Sequence, residues 1–120
     1  MGLTYVTTKL HPVVNGKRAY TAEFLVDTGA SDSKAAGKEL RRIGIKAVGR
    51  MSYELADGKV REFDFGLTTI EFMGEITAGR VIFGPDNCAP ILGVTALESV
   101  GIVVDAAHKT LKRLPAIPLK

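Results

Sequence analysis

The sequence predicts an all-β domain, a barrel or sandwich with closed edges and one or two short helices. Three observations carry this expectation. Short runs rich in Val, Ile, Leu, Phe and Thr recur along the 120 residues. The 13 glycines supply the turn positions such a fold needs. Two hairpin signals, at Asp57-Gly58 and Gly74-Glu75, each join a pair of these runs.

The elements follow in order. Thr4 to Leu10 alternates loosely and reads as a strand, within "MGLTYVTTKL". Pro12 and the pair Asn15-Gly16 mark a turn, and Thr21 to Val26 forms the second strand. Ala35 to Ile43, "AAGKELRRI", keeps helical spacing at Ala36, Leu40 and Ile43, and Gly44 stops it. "MSYELADGKVREFDF" reads as two alternating arms around Asp57-Gly58. Phe63, Phe65 and Leu67 share a face, whereas Ile70 and Phe72 are out of phase with them, which predicts a bulge near Thr68-Thr69. The chain turns at Gly74-Glu75 and returns through "ITAGRVIFG". "APILG" is a short apolar strand, and "VTALESVG" is a short helix ended by Gly101. "IVVD" and "KTLKRL" are further strands before Pro115 and Pro118 break up the tail.

Composition narrows the function classes. A length of 120 residues suggests one domain, residues 1–120, able to bury a core without metals or disulfides. A hydrophobic fraction of 46% argues against disorder. Cys88 is the single cysteine, so an intrachain disulfide is excluded. A net charge of +3 and a pI near 9.1 are too mild to call for nucleic acid. Lys34, Lys38, Arg41, Arg42 and Lys46 read as a solvated helix face, since no aromatic residues interleave them. No run is long enough to span a membrane, and the N-terminus lacks a signal pattern, so a cytoplasmic protein is expected. His11 and His108 read as solvated loop residues, and metal-ligand spacing is absent.

One stretch asks for a chemical explanation. In "FLVDTGAS" an apolar strand, Phe24-Leu25-Val26, runs straight into the carboxylate of Asp27. Small residues follow it. Asp-Thr-Gly alone is a turn sequence. Its context is more specific, because Ile91-Leu92-Gly93 later opens a helix and the Asp57-Gly58 hairpin lies between the two. "EFLVDTGAS", "RRIGI", "YELADGKV", "VIFG" and "PILGVTALESVGIVVD" stand in the order found in aspartic proteases. The chain resembles the retropepsin-like, single-domain branch of that clan.

The resemblance implies a closed β-barrel of the retropepsin type with a flap hairpin. It implies an aspartic-type endopeptidase that hydrolyses peptide bonds in extended or unfolded protein and uses no cofactor. Such enzymes work with two adjacent carboxylates that share one proton. This chain has one Asp-Thr-Gly, so the second carboxylate must come from a second copy, and a homodimer with Asp27 at its two-fold axis is implied. Thr28 would bond across the axis. Gly29 would leave room for the partner loop and offer its N–H to Asp27. Ala30 stands where pepsin-like enzymes carry a hydroxyl that favours the ionised pair, so a mildly acidic to near-neutral optimum is implied. Ile91 and Leu92 would pack beneath the loop, with Gly93 letting the chain cross under it. Ala56, Asp57 and Gly58 would form the flap tip. Two other readings stand beside this one: a weak or inactive peptide-binding or assembly module on the same fold, and a basic nucleic-acid-associated protein.

Overall fold

The computed structural model describes residues 4–14 and 17–119, so the expected Asn15-Gly16 turn lies outside the described residues. Among the described residues the chain is mostly β, with two six-residue helices. Its strands are β1 (Tyr5–His11), β2 (Tyr20–Asp27), β3 (Ser33–Ala36), β4 (Gly49–Glu54), β5 (Val60–Phe72), β6 (Glu75–Gly84), β7 (Ile91–Gly93), β8 (Ile102–Asp105) and β9 (Thr110–Arg113). Helix α1 covers Gly37–Arg42 and α2 covers Val94–Ser99. Seven strands form one sheet in the order β1-β2-β7-β3-β6-β5-β4, and β1 also pairs with β5. Hydrogen bonding therefore runs from β1 through β2, β7, β3, β6 and β5 back to β1. Strands β8 and β9 pair separately.

Period-two alternation places the core. Thr8 and Leu10 of β1 point inward, as do Gly66, Thr68, Ile70 and Phe72 of β5. Leu10, Ile70 and Phe72 join Phe24, Ala35, Leu40, Ile43, Val81, Leu92, Leu97 and Ile102 in one cluster. Each large apolar residue there contributes on the order of 1.5–3 kcal/mol by leaving water.

Three local expectations are corrected. Ala35 and Ala36 lie in strand β3, not in the helix expected over 35–43. The small side chains let β3 slot between β6 and β7, pairing in parallel with Val81 to Gly84, and this long-range ladder overrides helix propensity. No bulge interrupts β5 near Thr68-Thr69. The register with β6 is unbroken from Phe65↔Ile82 to Phe72↔Glu75. The phase change seen in sequence is a change in which face is covered: Leu67 is exposed while its neighbours Gly66 and Thr68 are buried. The second hairpin turns at Met73-Gly74, one residue earlier than expected. Both have positive φ, 53° and 78°, which suits the twist of a two-residue hairpin.

Candidate active site

Strand β2 carries Asp27 out of the core on an apolar stem. Phe24 is fully buried, and Leu25, Val26 and Asp27 pair in parallel with Ile91, Leu92 and Gly93 of β7. The loop after Asp27 then turns tightly. The Ala30 N–H donates to the Asp27 carbonyl at 3.1 Å, and the Gly29 N–H donates to Asp27 Oδ1 at 2.9 Å. A side chain at position 29 would begin 3.2 Å from that same oxygen, so glycine leaves the carboxylate its room.

Chain segments from both sides hold the loop. The Val94 N–H donates to the Ala30 carbonyl at 2.8 Å, and the Thr95 N–H to the Ser31 carbonyl at 3.2 Å. These are N–H groups at the start of α2, which have no partner within their own helix. The buried Gly93 N–H donates to Ser33 Oγ at 3.0 Å. Gly93 crosses so close that a Cβ there would lie 2.5 Å from the Asp32 carbonyl carbon and 2.8 Å from the Ser31 carbonyl oxygen. Leu92 is fully buried beside it.

Facing this loop is the hairpin of β4 and β5. The Gly58 N–H donates to the Leu55 carbonyl at 2.9 Å, and the Leu55 N–H to the Lys59 carbonyl at 2.8 Å. Asp57 Oδ1 accepts from the Lys59 N–H at 2.9 Å, and Gly58 takes φ +84°. Ala56, Asp57 and Gly58 thus make a three-residue turn with glycine in the left-handed position.

Between loop and hairpin lies a groove of about 700 Å³. Asp27, Gly29, Ala30, Ile91 and Ala56 line it, while Thr28, Leu92, Gly93, Asp57 and Gly58 stand outside its lining. The groove also takes in Asp32, Lys34, Tyr53, Phe63 and Ile82, which sequence reasoning did not single out as a site. A signal existed for Tyr53: Met51 and Tyr53 alternate with Ser52 and Glu54 along β4, and Leu55 just after it keeps the phase. Lys34, grouped by sequence with a helical basic face, belongs instead to β3 and to this groove. Arg41 lies over the Phe83 ring at 5.9 Å, and Arg42 pairs with Glu39 at 2.7 Å.

Tyr53 ties the two walls together. Its hydroxyl donates to Asp32 Oδ2 at 2.6 Å, and its ring packs against Phe63 at 6.2 Å. Burial first, and then the hydrogen bond to Asp32, pushes the phenol up from 10.0 to about 12. The phenol form is therefore favoured by folding. Its contribution is whole below pH 10.0 and is lost as pH rises through about 12. Replacing Tyr53 by Phe should lower stability by roughly 1 kcal/mol, read as a shift in the urea midpoint. An unchanged midpoint would show that the bond contributes nothing in solution.

A carboxylate held at the floor of a groove, on a tight loop pinned from below and faced by a hairpin, places the chain in the retropepsin-like class of aspartic protease folds. The chain belongs to the aspartyl protease family: that family's model, described as "Aspartyl protease", matches residues 11–96. Among solved structures, the chain is similar to the retroviral protease-like domain of Ddi1 from Leishmania major. There the TM-score is 0.59 at 21% identity, over 97% of this chain and 91% of that one. It is also similar to a retropepsin-like aspartic protease from Rickettsia conorii. That comparison gives a TM-score of 0.50 at 25% identity, over 87% of this chain and 85% of that one. Among curated protein sequences no match was found. No helix among the described residues is long and apolar enough to cross a membrane.

Proposed function

We propose that this chain is a homodimeric aspartic endopeptidase that hydrolyses peptide bonds in extended or unfolded protein. The observation that carries the reading is Asp27 in the lining of a groove of about 700 Å³ faced by the β4–β5 hairpin. The main sheet is read as a closed barrel of the retropepsin type, supported by the pairing of β1 with both β2 and β5. Substrate enters as an added strand. The hairpin with Ala56, Asp57 and Gly58 acts as the flap and excludes water over the bound peptide.

The chemistry needs two carboxylates, and each chain supplies Asp27. Brought together at a two-fold axis, the pair keeps a single proton because two adjacent charges repel. The ionised carboxylate takes a proton from a water molecule, whose oxygen attacks the scissile carbonyl carbon. The protonated carboxyl gives its proton to the carbonyl oxygen. The tetrahedral intermediate then collapses: the carboxyl that took the water's proton gives it to the amide nitrogen, the other carboxylate takes a proton from a hydroxyl of the intermediate, and the C–N bond breaks to release an amine and a carboxylic acid. Thr28 bonds to its counterpart across the axis, and the Gly29 N–H orients Asp27. Ile91, Leu92 and Gly93 hold the loop from beneath. No cofactor takes part.

Ala30 sets the working pH in this reading. No hydroxyl adjoins the pair at that position, so the singly protonated form persists to higher pH. The expected profile of kcat/KM is bell-shaped and centred at mildly acidic to near-neutral pH, as suits a cytoplasmic enzyme. Ala30→Ser should move it to lower pH. An unmoved profile, or a parent optimum at strongly acidic pH, would rule this role out. The function itself is tested by incubating the protein with an unfolded protein library across pH and reading new termini by mass spectrometry. Internal cleavage is the expected outcome, and intact substrate throughout would overturn the proposal.

A further inference from the structure

The groove contains a cation that the hydrolytic chemistry does not use. Lys34 sits in β3 between Ile82 of β6 and Ile91 of β7, each its direct cross-strand partner. All three residues line the groove that holds Asp27. Ser33 and Ala35, on either side of Lys34, are buried on the opposite face, so alternation directs Lys34 away from the core. Gly84 provides the space for its stem. The stem shares that space with the Cys88 thiol: a Cβ at position 84 would fall 2.5 Å from Cys88 Sγ, 3.1 Å from Lys34 Cγ and 3.2 Å from Lys34 Cδ. Among the described residues Lys34 enters no ion pair.

The acidic groups around it are differently placed. Asp32 accepts from the Tyr53 hydroxyl, Asp27 Oδ1 accepts from the Gly29 N–H, and Glu54 is carried on the facing hairpin strand. A substrate side chain entering between Ile82 and Ile91 therefore meets two apolar walls with a lysine between them. We propose that Lys34 is a specificity residue of this groove, selecting a substrate side chain that ends in a carboxylate, Asp or Glu, close to the scissile bond. The proposal rests on the peptide-hydrolysis reading of the same groove. An extended peptide presents alternate side chains to such a wall, so one position on each side of the axis is read in this way. The apolar walls strengthen the ion pair relative to one made in open water.

The test uses the 120-residue chain and short extended peptides scanned with Glu, Gln or Lys at each position. In the parent, the Glu peptide should exceed its Gln counterpart by roughly tenfold in kcat/KM at one position, the size expected of a charge-assisted contact. In Lys34→Met that ratio should fall to about one, and in Lys34→Glu the Lys peptide should become the preferred one. Equal rates for Glu and Gln peptides in the parent at every position, or a ratio that survives in Lys34→Met, would overturn the proposal. A binding arm separates it from the catalytic reading. Asp27→Asn, with and without Lys34→Met, is titrated with the same peptides by calorimetry. Tighter binding of the Glu peptide that depends on Lys34, with no hydrolysis by the parent, would uphold the selectivity and overturn the enzyme. No discrimination in binding would overturn the selectivity.

Discussion

Asp27→Asn should abolish peptide hydrolysis while leaving the fold intact. The expected loss is at least about 10²–10⁴-fold, the range attributed to general acid–base catalysis by a positioned group. The asparagine amide has nearly the shape of the carboxylate, and its oxygen can still accept from the Gly29 N–H, which in the parent donates to Oδ1 at 2.9 Å. It cannot take a proton from water. In the proposed dimer, removing the charge also relieves repulsion between the two Asp27 side chains, so that dimer should be as stable as the parent or more so. The measurement is kcat/KM on a cleaved peptide, with thermal unfolding and sedimentation run beside it. Cleavage by the variant at the parental rate would refute the assigned mechanism.

The largest stability effect is expected at Gly93. A methyl group there would sit 2.5 Å from the Asp32 carbonyl carbon and 2.7 Å from the Asp32 carbonyl oxygen. Both are backbone atoms and cannot swing aside like the end of a long side chain. Either β7 or the loop after Asp27 must move, at the cost of the Gly93 N–H bond to Ser33 and the Val94 bond to Ala30. Gly93→Ala should therefore destabilise by about 3 kcal/mol or more, the upper end of overpacking effects. For a chain of this size that is a fall of roughly 10 °C in Tm. Gly79→Ala is the control, since nothing lies within 4 Å of a Cβ built there. It should change Tm little. Equal behaviour of the two variants would mean that the crossing beneath the Asp27 loop is looser than described.

How much of this was legible in the sequence depends on the range of the forces involved. "FLVDTGAS" announces itself because an apolar strand ending on a carboxylate is a local contradiction, and strand β2 ends at Asp27. The β4–β5 hairpin follows from Asp57-Gly58, and α2 ends before Gly101, whose φ is +71°. Strand β3 was not legible. Ala35 and Ala36 have helical preferences, and only distant partners in β6 make them a strand. The continuity of β5 was hidden for a related reason: which face is covered changes along the strand, and hydrophobicity alone reads that as a slip. The tie between Tyr53 and Asp32 joins residues 21 positions apart and leaves no mark in either segment. Lys34 looked like one more surface lysine until β3 carried it into the groove.

In the proposed mechanism one active site is built from two Asp27 carboxylates, one per chain, and subunit mixing distinguishes this from a site complete within one chain. Parent and Asp27→Asn chains are unfolded together, refolded at varied ratios and fixed total concentration, and assayed for peptide cleavage. If each site needs both carboxylates, activity falls as the square of the parental fraction, so an equal mixture keeps about a quarter of the activity. A linear fall, with about half the activity left in an equal mixture, would mean that each chain works alone and that no shared site exists.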